Sequence, residues 1–484
     1  MKKLIIITSL LLAACGSNNS NSMPEASLDD QLRAQIQSNN LTGRPEAGRS
    51  LPSIQEPMAQ LGMKLFYSQK LAASSEDVAC VSCHHPMLGG GDGMSLPIGV
   101  DAVQADLLGQ GRLHKTEGEG FDGGPTVPRN APTTFNIGLW QRTLFHDGRL
   151  QRLADETIRT PDAAFGETDI NLPMGITLAN AQARFPVTSN EEMRGFDSPA
   201  AEDRQGVRAR LAQRLQDDAD WLNEFQTVLP KSGADGYRIE YNDIAQALAA
   251  YENSQVFTQN PWRRYIEGDT SALSESAKRG AVLFYTPYDE GGAYCVACHQ
   301  GDFFTDEGFH NIAAPQIGRG KGNTNGTTTT QDFGRFRETL DEADKFAFRT
   351  PSLLNVEVTG PWTHAGAFFT LKDVIRHHLN PEASAMNYTR TDSYTFITNE
   401  QMNDVAVNTQ QAVQQLLANR EAGIPSIRDV VLSEQEIADI EAFLRSLTDP
   451  CVKDRDCLSP WIPASGGAAY LRQLDGIDRN GNNL

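Results

Sequence analysis

The chain has 484 residues, 42 Lys and Arg against 62 Asp and Glu, and a net charge of −20 with its histidines neutral. So acidic a surface does not suit nucleic acid or a direct grip on anionic lipid; it serves solubility and suits a basic partner. Strand patterns are sparse, so the expected fold class is mainly α, with loops wrapped around whatever the chain binds.

Met1-Lys2-Lys3 precede an apolar run from Leu4 to Leu12, and Ala13-Ala14-Cys15 follow. A positive start, a short apolar stretch and a small-residue exit make a secretory signal, too short for a stable membrane span. Cys15 after Leu-Ala-Ala resembles a bacterial lipobox, which implies cleavage before Cys15 and acylation of its thiol. The other reading is an ordinary cleaved signal that leaves a free thiol. Gly16-Ser17 follow with no Asp, which by lipoprotein sorting rules favours the outer membrane. The expected location is therefore periplasmic and lipid-anchored in a Gram-negative bacterium, with membrane contact through the lipid alone. Residues 16–50, rich in Ser, Asn, Gln and Gly, read as a flexible tether.

Residues 51–255 and 256–450 read as two domains, for two reasons. Cys80-Val-Ser-Cys83-His84 and Cys295-Val-Ala-Cys298-His299 are both C-x-x-C-H, the attachment signature of a c-type haem. Each offers two thiols for the haem vinyl groups and an adjacent histidine for the iron. Two such motifs in one chain argue against a zinc ribbon or a redox cysteine pair. A weak internal repeat precedes them, Gly62-Met-Lys-Leu65-Phe66 and Gly280-Ala-Val-Leu283-Phe284, each late in a helical stretch. Ser274-Glu275-Ser276 reads as the start of the second of these helices. Asp243 to Tyr251 reads as the closing helix of the first unit. Ser433 to Leu447 reads as that of the second, with Ile437, Ile440, Phe443 and Leu444 at helical spacing. The joint falls near residues 255–272. Both haems are expected near the domain interface.

Cysteine arithmetic leaves Cys451 and Cys457, which pair as a disulfide in an oxidising compartment, or stay reduced. They pin residues 451–484, read as a polar tail. Asp475-Gly-Ile-Asp-Arg-Asn-Gly-Asn matches a calcium loop too loosely to assign a site.

Further motifs complete a pattern. They are Arg129-Asn130-Ala131-Pro132-Thr133, Phe145-His146-Asp147-Gly148-Arg149, Phe348-Arg349-Thr350-Pro351-Ser352-Leu353 and Thr359-Gly360-Pro361-Trp362-Thr363-His364-Ala365-Gly366. In this order, around two haem motifs, they resemble the bacterial dihaem cytochrome c peroxidases and the related MauG-like enzymes over roughly residues 55–450. The resemblance implies a peroxidatic first haem, an electron-transferring second haem and a calcium ion between them. It implies Asn130, Thr359 and Pro361 as calcium ligands, an amide oxygen and two carbonyls that suit a hard cation. It places Arg349 near the haem propionates. It places His146 where the family often has a Trp relay between the haems; imidazole is harder to oxidise than indole, so His146 is expected to tune coupling or bind a propionate or water.

The distal ligands decide function, because a second strong ligand makes a haem an electron carrier. Leu371, Val374, Ile375 and His378 fall at i, i+3, i+4 and i+7, one stripe of a helix, and His377 lies off it. A buried His needs a partner. Iron is one, and the family's distal Met or Tyr stands at this position, so His299 and His378 are expected to ligate the second iron. The other reading is a core histidine bonded to a carbonyl. For the first haem, His84 is the expected ligand, and Val100 stands where the family's peroxidases often carry a distal His. An open first site follows, unless His114 folds back from its Gly-rich insertion. Peroxide heterolysis needs a group that moves a proton between the two oxygens. The family's Gln-Ala…Pro…Glu-Met context matches Gln182-Ala183…Pro186…Glu192-Met193, giving Glu192 that role; the other reading is an exposed loop carboxylate, as expected of Glu191.

The expected protein is a dihaem peroxidase that reduces hydrogen peroxide to water, fed by a small cytochrome c or a copper protein. The alternatives are a MauG-like oxidase of a partner protein and a pure electron-transfer protein. Whether two copies form a homodimer is left open by the sequence.

Overall fold

The computed structural model describes residues 26–73, 77–118, 121, 124–160, 176–197, 202–231, 236–321, 331–389, 402 and 404–484. The signal sequence and Cys15 lie outside the described residues.

The fold is mainly α and rests on two helix pairs that repeat one design. Ahead of them stands α1 (Leu28–Ser38), capped by the Ser27 hydroxyl. The first pair is α2 (Pro57–Phe66) against a later helix at 241–253. Between them lie α3 (Leu178–Gln182), α4 (Arg204–Gln216) and α5 (Ala219–Val228); the partner itself is α6 (Tyr241–Asn253). After α7 (Pro261–Ile266) comes α8 (Glu275–Tyr285), capped by the Ser274 hydroxyl. Further on are α9 (Leu371–Leu379), α10 (Pro381–Met386), α11 (Val405–Glu421) and α12 (Glu434–Arg445). α12 starts in a capping box between Ser433 and Glu436 and packs on α8.

The repeat glycines explain the pairing. A Cβ on Gly62 would run into the Ala247 carbonyl of α6, and a Cβ on Gly280 into the Asp439 carbonyl of α12. Glycine lets each backbone pair approach to contact. Apolar side chains then close over the crossing: Leu61, Leu65, Ile244, Leu248 and Tyr251 in the first core, Ala281, Phe284, Ile440 and Phe443 in the second.

Sheet structure is minor. β1 (Thr143–Leu144), β2 (Leu150–Arg152) and β3 (Ile158–Arg159) form an antiparallel meander with Leu144 opposite Leu150. β4 (Phe309–His310) and β5 (Phe348–Arg349) form a two-residue ladder, with Phe309 opposite Arg349.

The two chain ends differ from their sequence expectation. Residues 26–50, read as part of a tether, are built structure: Leu32 and Leu41 are buried in the second core. The Asp29 carboxylate accepts from the Tyr265 hydroxyl at 2.7 Å and pairs with Lys278 at 3.0 Å. Residues 451–484, read as a polar tail, carry Val452, Leu458, Ile462, Leu471 and Leu474 into the first core. The Tyr251 hydroxyl donates to the Trp461 carbonyl at 2.9 Å, and the Trp461 indole N–H meets the Ser254 hydroxyl at 3.0 Å. Cys451 and Cys457 are joined in a disulfide. Each unit is thus finished by the far end of the chain, and the boundaries 51–255 and 256–450 cut across both cores.

Candidate haem and peroxide site

Each C-x-x-C-H segment follows its glycine-bearing helix and opens in a single tight turn, Cys80–Ser82 and Cys295–Ala297. At the second, the His299 Nδ1 lies 3.2 Å from the Phe304 carbonyl and 3.1 Å from that of Pro351. The His378 Nδ1–H donates to the Val374 carbonyl at 2.8 Å, back along α9. Both Nε2 atoms therefore remain for a metal, the arrangement that carbonyl partners impose on ligating histidines. The two rings stand 6.4 Å apart, centre to centre. An imidazole nitrogen about 1 Å from its ring centre and a bond of about 2 Å on each side give about 6 Å for two rings sharing one ion. The residues here fit a haem iron held from both faces. The stripe reading of α9 needs one correction. His377, placed off the stripe, is fully buried, because Phe368 and α10 cover that side as well. It is satisfied by protein: Nε2 meets the Ile312 carbonyl at 2.8 Å and Nδ1 the Ser384 hydroxyl at 3.1 Å.

Around the first motif lies a cavity with about 1010 Å³ of atom-free space. Cys80, Cys83 and His84 line it, with Phe66 and Leu248 from the α2–α6 pair. The His84 Nδ1 lies 3.2 Å from the Gly90 carbonyl, which again leaves Nε2 for a metal. The wall also contains Gln182, Pro186 and Glu192. Glu192 sits in one wide helical turn, Asn190–Arg194, closed by the Gly195 N–H on the Asn190 carbonyl at 3.1 Å. The Ser95–Val100 loop backs this turn. A Cβ on Gly99 would run into the Glu191 and Glu192 carbonyls, and the Val100 N–H donates to the Glu191 carbonyl at 3.3 Å. Val100 itself is buried in the first core. His114 does not line the cavity; its Nδ1 meets the Lys115 carbonyl at 2.7 Å and its ring stacks on Phe121 at 5.5 Å.

Burial pushes His299 down to about 4 and lowers His84 and His378 as well. All three are neutral near pH 7, the form that binds metal.

Between the motifs, His146 lines the first cavity and donates from Nε2 to the Asn130 carbonyl at 3.0 Å. Burial, with Arg129 adding to it, pushes His146 down to about 4. The His146 carbonyl accepts from the Arg349 N–H at 2.8 Å. The Arg349 guanidinium lies 3.4 Å over the Trp140 ring and donates to the Thr143 carbonyl at 2.7 Å. The Asn130 side-chain nitrogen donates to the Met94 carbonyl at 2.7 Å and lies 3.2 Å from that of Ser95, and among the described residues its amide oxygen accepts no hydrogen bond. Asn130 also meets the Thr359–Gly366 loop, its N–H donating to the His364 carbonyl at 2.8 Å. Pro361 and Thr359 stand at the start of that loop, Thr359 against Gly89. An amide oxygen left over beside carbonyls is a donor set a calcium ion accepts.

A family model described as di-haem cytochrome c peroxidase matches residues 56–271. The chain is 29% identical over 326 residues to methylamine utilization protein MauG of Methylophilus methylotrophus, covering 66% of this chain and 71% of that protein. It is 26% identical over 322 residues to cytochrome c551 peroxidase of Pseudomonas aeruginosa, covering 66% and 71%. The chain is thus similar to the dihaem cytochrome c peroxidases and MauG-like proteins. Its fold is similar to a MauG-like protein associated with microbial copper homeostasis (TM-score 0.53, 22% identity, 85% of this chain and 96% of that one). It is also similar to the diheme peroxidase BthA of Burkholderia thailandensis (TM-score 0.51, 19% identity, 84% and 88%).

Two cavity residues escape a reading of the sequence. Glu252 lines the first cavity with one carboxylate oxygen unpartnered, and burial pushes it up to about 8. Its signal was present: Ile244, Leu248, Tyr251 and Glu252 share one helical stripe, so a carboxyl stands among apolar neighbours. Lys321 also lines the cavity. It sits in Gly318-Arg319-Gly320-Lys321-Gly322, where no periodicity points inward.

Proposed function

We propose that the chain is a periplasmic dihaem peroxidase that reduces hydrogen peroxide at the first haem with electrons delivered through the second. The observation that carries this is the asymmetry of the two sites. His299 faces His378 across 6.4 Å, while the cavity at His84 offers Glu192 and Gln182, and its other imidazole, His146, is tied through Nε2 to the Asn130 carbonyl. The likeness to cytochrome c peroxidases supports an oxidoreductase that acts on hydrogen peroxide.

His84 would hold the first haem, and His299 with His378 the second, each haem bonded through its two cysteines. When bound, the haems supply the electrons and the coordination position at which the O–O bond breaks. Glu192 takes the proton from one peroxide oxygen and returns it to the other, so that the departing oxygen leaves as water. Two electrons and two further protons complete two waters. His146 holds the loop between the sites rather than relaying charge. Asn130, Thr359 and Pro361 hold a calcium ion that fixes the Asn130–His364 contact. Electrons come from a small cytochrome or copper protein drawn to the acidic surface, and Cys15 tethers the chain by lipid.

A MauG-like reaction, in which side chains of a partner protein supply the electrons, is the second reading. It is favoured by the relatives named MauG and by an imidazole rather than a thioether opposite His299.

Peroxide added to the fully oxidised protein, with and without a reduced small cytochrome, tests the two. The peroxidase reading expects rapid turnover with reduced cytochrome and little without it. A long-lived oxidised state that ignores the cytochrome would overturn it in favour of the second.

A further inference from the structure

One end of the first cavity is cationic. Arg129, Arg149 and Lys321 line it, and two buried carboxylates reach the cluster. Both are engaged. The Arg129 guanidinium grips Asp332 through two nitrogens at 2.6 and 2.7 Å and reaches Asp147 at 2.6 Å. Asp147 also pairs with Arg149 at 3.3 Å. Lys321 has no ion pair or hydrogen bond among the described residues. Burial, with Arg149 and Arg129 beside it, pushes its ammonium down to about 8.

A partly buried cation without a partner among the described residues is a ready site for an anionic group. The cavity's occupant brings the missing charge, since a haem carries two carboxylates on the edge opposite its vinyl groups. Cys80 and Cys83 fix the vinyl edge. The carboxylate edge points away from them, and Arg149 and Lys321 line the same cavity.

We propose that Lys321, backed by Arg149, receives a carboxylate of the first haem and fixes the charge felt by its iron. This rests on a haem in this cavity and not on peroxide chemistry. Lys321 is a positioning residue. Its ammonium neutralises a carboxylate beside the iron and so favours the reduced state of that haem alone.

The test is a redox titration of each haem in the full two-haem protein, with no peroxide present. Lys321→Met is expected to move the first haem's ferric–ferrous equilibrium about tenfold toward ferric and to leave the second unmoved. Lys321→Gln is to give the same shift, so that one poorly folded variant does not decide the matter, and Lys321→Arg is to restore the original equilibrium. An unshifted first haem in both neutral variants, or an equal shift in both haems, would overturn the proposal. So would a shift that disappears in a Glu192→Gln background, which assigns the ammonium to Glu192 instead. Because peroxide is absent, any of these outcomes leaves the peroxidase reading standing.

Discussion

The two C-x-x-C-H units start from one plan and end in different surroundings. Both cross two helices at a glycine, both open the haem motif in a single turn, and both fasten the proximal imidazole to a backbone carbonyl. They part at the opposite wall. In the second unit that wall is α9, which turns the His378 ring to face His299 at 6.4 Å. In the first it is the segment 182–193, which offers a proline beside an amide and a carboxylate, the last two able to hold or move a proton. In the proposed reading, reactivity is set by which segment roofs the haem, and the shared helix crossing sets only where the haem sits.

The largest expected effect that separates the units comes from Glu192→Gln. Steady-state peroxide turnover is expected to fall about 10²–10⁴-fold with the spectra of both haems unchanged. Near wild-type rates would remove Glu192 from the reaction and with it the chemical distinction between the two walls.

The shared part of the design is tested next. Gly62→Ala and Gly280→Ala each press a methyl group into a helix-backbone carbonyl. Each should cost about 1–3 kcal/mol in denaturant unfolding, with similar costs in both units. A harmless Gly280→Ala beside a damaging Gly62→Ala would show that the crossings are not equivalent.

A smaller effect concerns Glu252. Its carboxyl is raised by burial from 4.5 to about 8, so the folded protein keeps a proton that the unfolded chain releases above about pH 4.5. The stability this contributes is complete below that pH and is lost as the pH rises through about 8. Glu252→Gln is expected to flatten the fall in Tm between about pH 5 and 8. An unchanged pH profile would show that the Glu252 carboxyl is ionised in the folded protein.

Much of this was legible in the sequence because it was local. The C-x-x-C-H motifs, the repeat glycines, the Ser274 and Ser433 helix starts and the α9 stripe are short patterns whose chemistry does not depend on distant residues. What escaped depended on distant packing. Leu28, Leu32 and Ile36 do repeat at helical spacing, but among so many polar residues that the stripe gains meaning only against α8 and Tyr265. The apolar residues of 451–484 are scattered without period and find their places only on the first core. His377 is buried by a second layer that its own helix does not announce. Lys321 becomes informative only once Asp147 and Asp332 are seen to be taken by arginines.

The asymmetry itself is best tested by the low-temperature magnetic resonance spectrum of the resting, fully oxidised protein. The account predicts one high-spin ferric haem and one low-spin haem with two imidazole ligands. Two low-spin haems would mean that a side chain closes the first site, and would contradict it.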